Sequence, residues 1–166
     1  MSLIIEKLSK DHKKSDFDCE NTLLNNYIQK QAKQDVVRDL SACYILNDVS
    51  DKRVLGYYTL SGNSIDRNDF PLELMQKMPP SYVNLPTILL GRLAVDKNEK
   101  GKGFGAILLM HALEKCVQIS ESLGVLAVIV DPIDEKAIGF YTKYGFTLIP
   151  SNNKMFIPIK TIQDFK

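Results

Sequence analysis

One stretch of the chain limits what it can fold into more than any other. Ile88 to Val95 is a nearly unbroken apolar run, and after Asp96 glycines recur at positions 101, 103 and 105. A long periodic segment follows, to about Leu123, and then a second, wholly apolar run, Val125 to Val130. Apolar runs of this length read as strands buried on both faces. Between them Ala106, Leu109, Met110, Leu113 and Val117 recur at offsets of three, four, seven and eleven, which is the stripe of a helix packed along one side. Gly124 is placed as the C-cap of that helix. A strand, helix and strand in this order predict a parallel strand pair joined by a right-handed crossover.

The flanking sequence completes a mixed α/β reading. Leu3-Ile4-Ile5 forms a first strand, and Asp18 to Asp35 has the spacing of a helix, with Leu23, Leu24, Tyr27, Ile28 and Ala32 on its apolar side. Ala42 to Leu46 and Val54 to Leu60 are rich in β-branched and aromatic residues. The turn chemistry of Asn47 to Lys52 joins them as a hairpin. Ser64 to Leu85 carries Pro71, Pro79 and Pro80 and is the most irregular segment, with one short helix near Leu72 to Gln76. Asp134 is positioned to cap a helix reaching Lys143, and Phe146 to Ile149 and Lys154 to Ile157 form a last pair of strands. The front half is thus antiparallel and the back half β-α-β-α-β.

Composition narrows the function classes. At 166 residues, 45% of them hydrophobic, the chain suits one domain, residues 1–166, with an ordinary core and no need of a staple. Lys and Arg number 21 against 20 Asp and Glu, a balance that argues against a generic polyanion binder, though not against a local basic patch. Cys19, Cys43 and Cys116 are widely spaced, no CxxC pair exists, and only His12 and His111 could add imidazoles. No metal site or disulfide framework is expected, and a reducing cytoplasm is the simplest setting. No apolar run has the length of a membrane span, and no charged segment leads into a signal-type apolar stretch at the N-terminus.

The glycine turn is the segment that points to chemistry. Glycine tolerates positive φ and lets another group approach the backbone. Successive amides at a helix N-terminus, backed by the helix dipole, make an anion site suited to a pyrophosphate. Lys97, Lys100 and Lys102 add positive charge beside it. A tight turn with a solvated basic loop is the competing reading. The Walker pattern GxxxxGK(S/T) is absent, and the spacing GxGxG after a fourth strand does not fit the dinucleotide fingerprint GxGxxG.

Lys100-Gly101-Lys102-Gly103-Phe104-Gly105 resembles the acetyl-CoA motif of the GNAT acetyltransferases, in its form R/K-G-x-G-x-G. Ala137-Ile138-Gly139-Phe140-Tyr141 through Gly145-Phe146 is similar to their second hallmark, A-x-x-F-Y-x-x-x-G-F. The two lie in the family's order, with the expected strand between them, and the resemblance spans nearly the whole chain. It implies the GNAT fold, with a parallel strand pair splayed around acetyl-CoA as co-substrate. The backbone of Leu93, Ala94 and Val95 would pair with the pantetheine arm, and the pyrophosphate would lie on the amides of Lys100, Gly101, Lys102, Gly103, Phe104, Gly105 and Ala106. Tyr141 would face the thioester sulfur as general acid, because a phenol can protonate a departing thiolate. A packed core tyrosine is the alternative for Tyr141.

The acceptor has to be argued separately from the fold. An amine attacks only when neutral, so a lysine-type amine with a pKa near ~10.4 gains from a general base, whereas an α-amine near ~7.7 to 8 is already partly neutral. Many family members supply a carboxylate from the fourth strand. This strand has none and carries Arg92 instead, with Asp66, Asp69 and Glu73 as substitutes only in the irregular segment. That pattern points to a low-pKa amine. Phe17-Asp18-Cys19-Glu20-Asn21, Leu24-Asn25-Asn26-Tyr27, Gln31-Ala32-Lys33-Gln34-Asp35, Gly56 to Ser61 and Leu85 to Asp96 resemble one GNAT branch. That branch holds toxins of bacterial toxin–antitoxin pairs, which acetylate the α-amine of aminoacyl-tRNA and are neutralised by a ribbon-helix-helix antitoxin. The resemblance implies those two partners, and a homodimer is compatible with it. Residues 1–38 hold seven Lys and Arg against six Asp and Glu, a departure from the basic tract of that branch. A small-molecule amine, or a catalytically inactive acyl-CoA sensor, are the other readings carried forward.

Lys30, Lys33 and Arg38 could line one face of the first helix, against RNA or simply against solvent. His111 reads as a packing or surface residue, Cys116 as core, and Cys19 as a packed residue and not a nucleophile.

Overall fold

The computed structural model describes residues 2–165 and divides them into two compact units. The first comprises the residues up to Ser61 together with Gly91–Ala112, and the second Gly62–Leu90 together with the residues from Leu113 onward. Strands β3 (Val54–Asp66) and β4 (Asn84–Val95) and helix α4 (Phe104–Ser120) give residues to both.

In the first unit the strands run in the order β1 (Leu3–Lys7), β2 (Ala42–Asp48), β3, β4. β1 and β2 are antiparallel, as are β2 and β3, the hairpin that the turn residues 47–52 predict. Phe17, Tyr27, Ile28, Ala32, Cys43, Ile45, Val54, Tyr57 and Ala94 form one buried cluster there. The first helical segment begins later than its apolar spacing suggests. Asn21 caps α1 (Thr22–Asn26) by accepting the Leu24 amide at 3.1 Å, so Asp18 to Asn21 remain outside the helix. A single π-helical turn, Tyr27–Gln31, separates α1 from α2 (Ala32–Val37), with the Ala32 amide bonded to the Tyr27 carbonyl.

In the second unit the order is β3, β4, β5 (Ala127–Val130), β7 (Met155–Pro158), β6 (Thr147–Leu148). β4 and β5 are parallel, as the strand–helix–strand pattern requires, and β7 runs antiparallel to both β5 and β6. All four residues of β5 are buried. Arg67 organises the proline-rich segment that follows β3. Its guanidinium donates to the carbonyls of Met75, Met78, Pro79 and Tyr82 at 2.8 to 3.2 Å, around the short helix α3 (Leu72–Met75).

Helix α4 ends at Ser120, four residues before Gly124, and Gly124 is not among the glycines with positive φ, so the expected C-cap is not formed. Its buried residues are Phe104, Leu108, Leu109, Ala112, Leu113 and Cys116. The periodicity located the stripe correctly at Leu109 and Leu113 but set its edge one position off, with Ala106, Met110 and Val117 only half-buried. α5 (Glu135–Lys143) starts where expected, its cap Asp134 accepting the Ala137 amide at 2.8 Å. A terminal helix, α6 (Ile159–Gln163), follows β7 without a sequence signal strong enough to announce it, its burial resting on Ile159 and Ile162 alone.

Candidate active site

The glycine turn has the conformation its composition calls for. Gly101 and Gly103 have φ of +81° and +80°, in the left-handed region, where any other residue would be strained. A Cβ on either would meet nothing within 4 Å, so the backbone conformation alone demands glycine. Gly103 caps α4 through its carbonyl, which accepts the Ile107 amide at 3.1 Å. Gly105 lies inside the helix and has no positive φ. The first amides of a helix have no partner in its own ladder. Outside that ladder, no acceptor among the described residues takes the amides from Lys100 to Ala106. The turn therefore presents a row of free donors at the positive end of a helix of 17 residues.

The lysines of the turn do not supply a free positive patch. Lys97 Nζ lies 3.2 Å from Asp18 Oδ2, Lys100 Nζ 2.9 Å from Glu20 Oε1, and Lys102 Nζ 3.1 Å from Glu99 Oε2. Glu99 is buried, with Arg53 a further 3.8 Å away. Each ammonium is matched by a carboxylate, which corrects the expectation of concentrated charge there. What this turn offers an anion is its backbone.

A second surprise is how the turn is held. The carboxylate of the buried Asp96 accepts the Asp18 amide through Oδ2 at 3.1 Å and the Asn98 amide through Oδ1 at 2.9 Å. The Lys97 amide returns a bond to the Asp18 carbonyl at 2.8 Å. Asp18 is itself positioned by Asn25, whose Nδ2 donates to Asp18 Oδ1 at 3.0 Å while its Oδ1 accepts the Cys19 amide at 2.8 Å. The segment Phe17 to Asn21, singled out by resemblance, is thus the clasp that fixes the start of the glycine turn. Cys19 packs against the core of this unit, and burial pushes its thiol upward, away from nucleophilic use.

Upstream, the parallel register of β4 with β5 ends at Leu90 opposite Val130, whereas β4 continues to Val95. Leu93, Ala94 and Val95 thus lie beyond the last residue of β4 paired with β5. On the same stretch Arg92 lies with its guanidinium carbon 3.5 Å from the centre of the Tyr27 ring. Neither this contact nor the π-turn that carries Tyr27 was signalled by residue spacing.

Tyr141 belongs to the second unit, on α5. Its ring is 8% exposed and packs edge-on against Phe140 and Phe146 at centroid distances of 5.3 Å. Its hydroxyl makes no hydrogen bond among the described residues, yet is not one of the completely buried unpaired polar atoms. Burial pushes the phenol well above its ordinary value, so the proton is retained throughout the neutral range. Gly145, after α5, has φ of +98°. Asp66 is an exposed carboxylate that caps the turn at Asn68, Glu73 is exposed, and Asp69 faces Ser151, so none of the three is set up as a general base.

Lys30, Lys33 and Arg38 are all exposed and pair with no carboxylate among the described residues. Lys33 also lines a hollow of about 330 Å³ together with Lys10, Lys14 and the apolar Leu8, Val36 and Val37. His111 Nδ1 lies 2.7 Å from the Tyr58 hydroxyl oxygen, and the ring packs beside Tyr44. Cys43 and Cys116 are buried, and burial pushes both thiols up to about 12. No group of metal-ligating side chains occurs among the described residues, and none of their helices is long and apolar enough to cross a membrane.

Comparison with known proteins bears on this geometry. The model of the acetyltransferase (GNAT) family matches residues 4–146. A relative from Mycobacterium tuberculosis (strain ATCC 25618 / H37Rv), the "tRNA-acetylating toxin", is 36% identical over 129 residues, covering 78% of this chain and 75% of its own length. Among solved structures, AtaT complexed with acetyl-methionyl-tRNAfMet superposes with a TM-score of 0.91 at 33% identity, covering 98% of each chain. A mutant of AtaT bound to the C-terminus of the antitoxin AtaR and acetyl-CoA gives a TM-score of 0.81 at 30% identity, covering 97% of this chain and 96% of that one.

Proposed function

This chain belongs to the GNAT acetyltransferase family, and we propose that residues 1–166 form a single catalytic domain that carries acetyl groups from acetyl-CoA to the α-amine of aminoacyl-tRNA. The observation that carries the donor half is the left-handed Gly101–Gly103 turn opening onto the free amides of α4. A pyrophosphate fits this cradle because the backbone alone supplies the donors and the neighbouring ammoniums are already matched. Lys100 to Ala106 would hold the pyrophosphate by their amides, and Leu93 to Val95 the pantetheine arm by their backbone. Acetyl-CoA supplies the acyl group and a thiolate as leaving group.

The chain's own residues perform two tasks in this reaction. The amine nitrogen forms the new bond to the acyl carbon as the carbon–sulfur bond breaks, and no covalent enzyme intermediate is needed. Tyr141 gives its proton to the departing sulfur, and the proton lost by the amine restores the phenol through solvent. β4 offers no carboxylate to deprotonate the acceptor, which favours an amine that is already partly neutral at pH 7. The α-amine of an aminoacyl ester meets that condition, and the likeness to tRNA-acetylating relatives supports it. The exposed, unpaired Lys30, Lys33 and Arg38 offer cations to an RNA backbone despite the near-neutral net charge. An antitoxin partner follows from the same relatives, and the cytoplasm is the compartment where charged tRNA is met.

Incubation with labelled acetyl-CoA, a pool of charged tRNAs and a panel of small amines tests this reading. Label on tRNA that mild base releases with the amino acid is the expected result. Label on small amines alone would replace the acceptor, and transfer to nothing would leave an acyl-CoA sensor.

A further inference from the structure

Arg92 is the one cation of β4, and its surroundings are unlike those of the other cations near the glycine turn. Lys97, Lys100, Lys102 and Arg53 all face carboxylates. Arg92 is half-buried and pairs with no carboxylate among the described residues. Its guanidinium lies instead on the face of Tyr27, 3.5 Å from the ring centre. Stacking occupies the face of a guanidinium and leaves the N–H groups of its edge available for a two-point contact with an anion.

The platform beneath it is built. Tyr27 is 4% exposed, stacks on Tyr57 at 6.2 Å, and donates its hydroxyl to Asp35 at 2.9 Å. A carboxylate on the phenol hydrogen enriches the ring in electron density and strengthens its hold on a cation. Burial, then Asp35, push the phenol up to about 12, so the proton that makes this bond is not lost near neutrality. Tyr27 also opens the π-turn Tyr27–Gln31. One inserted residue of this kind costs helix regularity and is kept mainly where function requires it. Arg92 and Ala94 alternate onto the same face of β4, and Ala94 belongs to the cluster that contains Tyr27 and Tyr57.

We infer that Arg92, stacked on Tyr27, is a phosphate-binding residue for the acceptor, gripping a backbone phosphate of the RNA that carries the amino acid. The inference rests on the aminoacyl-tRNA reading above. We assign the phosphate to the acceptor because the open amides of residues 100–106 are the proposed seat of the donor's pyrophosphate, and acetyl-CoA titration of the Arg92 variants checks that assignment.

The test is steady-state transfer to charged tRNA by wild type, Arg92→Gln and Arg92→Lys over a range of salt concentrations, alongside thermal melts and acetyl-CoA titrations. Arg92→Gln should raise KM for charged tRNA roughly tenfold or more with kcat little changed, and reduce the slope of log affinity against log salt by about one. Arg92→Lys should recover the slope but only part of the affinity, since an ammonium lacks the planar fork. A purely structural arginine would lower the melting temperature and leave the salt slope unchanged. An unaltered KM and slope in Arg92→Gln, while wild type acetylates tRNA, overturns the inference alone. Lost acetyl-CoA affinity would assign the phosphate to the donor and also overturn it. Wild type that transfers nothing to tRNA removes the acceptor reading and this inference together. Should Arg92→Gln fail to fold, Arg92→Lys decides, a raised KM supporting the phosphate contact and a wild-type KM overturning it.

Discussion

The carboxylate of Asp96 accepts the backbone amide of Asp18 at 3.1 Å, joining residues 78 positions apart in sequence. With the Lys97 amide bonded back to the Asp18 carbonyl at 2.8 Å, this reciprocal pair fixes the entry to the glycine turn before the left-handed residues begin. Asp96→Ala leaves both the Asp18 and Asn98 amides without their acceptor. Each buried bond of this kind is worth about 1 to 3 kcal/mol when one partner is removed. The expected outcome is acetyl-CoA affinity lowered by roughly tenfold, since about 1.4 kcal/mol of lost order in the cradle is a factor of ten. Calorimetric titration reads it directly, and an unchanged Kd would show that the turn holds its shape without the clasp.

Tyr141 joins a retained proton to an unpaired hydroxyl. Tyr141→Phe should reduce turnover by one or more orders of magnitude, within the usual range for loss of a general acid, while acetyl-CoA binds as before. Unchanged turnover would return Tyr141 to the role of a core aromatic. Its raised pKa carries a second consequence. A group whose pKa is raised keeps its proton to higher pH, so Tyr141 contributes no fall in kcat between pH 7 and 9. A rate profile that declines over that interval and flattens in Tyr141→Phe would contradict the assignment.

How far the sequence could be read depended on the distance over which its causes act. The parallel β4–β5 pair, the Asp134 cap and the left-handed Gly101 and Gly103 arise from contiguous residues, and all were legible. The neutralisation of Lys100 by Glu20 links residues 80 positions apart and leaves no local pattern. The π-turn at Tyr27 is equally silent, because Leu24, Ile28 and Ala32 recur at offsets of four and eight and fit an α-helical stripe without any inserted residue. The contacts of Tyr27 with Asp35, Tyr57 and Arg92 exist only in the folded unit. Arg67 was unremarkable in sequence yet gathers four carbonyls of the proline-rich segment. The motifs pointed to the glycine turn, and only the tertiary structure shows what holds it.

Away from the site, Glu6 supplies a pH-dependent contribution to stability. Its Oε2 receives bonds from His12 Nε2 at 2.9 Å, Asn47 Nδ2 at 3.0 Å and Lys52 Nζ at 3.2 Å. His12 Nδ1 accepts the Ser9 amide at 3.0 Å, which leaves the ring proton on Nε2 to be donated. These bonds, that from His12 first, hold the carboxyl at about 2 in place of its ordinary 4.5. A depressed folded-state pKa means stability that is fully present above pH 4.5 and is lost as the pH falls towards 2. Urea unfolding should show wild type more stable than Glu6→Gln at pH 6, with the gap closing across that window. A gap that stays constant down to pH 2 would remove Glu6 from the account.

Gly56 tests the packing on which the first unit depends. A Cβ there would lie 2.8 Å from Leu108 Cδ1 and 2.9 Å from the Ala94 carbonyl oxygen. The leucine methyl can rotate away, but the carbonyl belongs to β4 and cannot retreat without moving the strand that leads into the glycine turn. Overpacking of this kind costs about 1 to 3 kcal/mol. Gly56→Ala should lower the urea midpoint accordingly, and because Ala94 lies two residues before Asp96, acetyl-CoA affinity should fall with it. Leu108→Ala in the same chain removes the yielding contact but not the rigid one. It should therefore fail to restore either property. Full rescue by Leu108→Ala would show that the side chain, not the β4 backbone, is the obstacle.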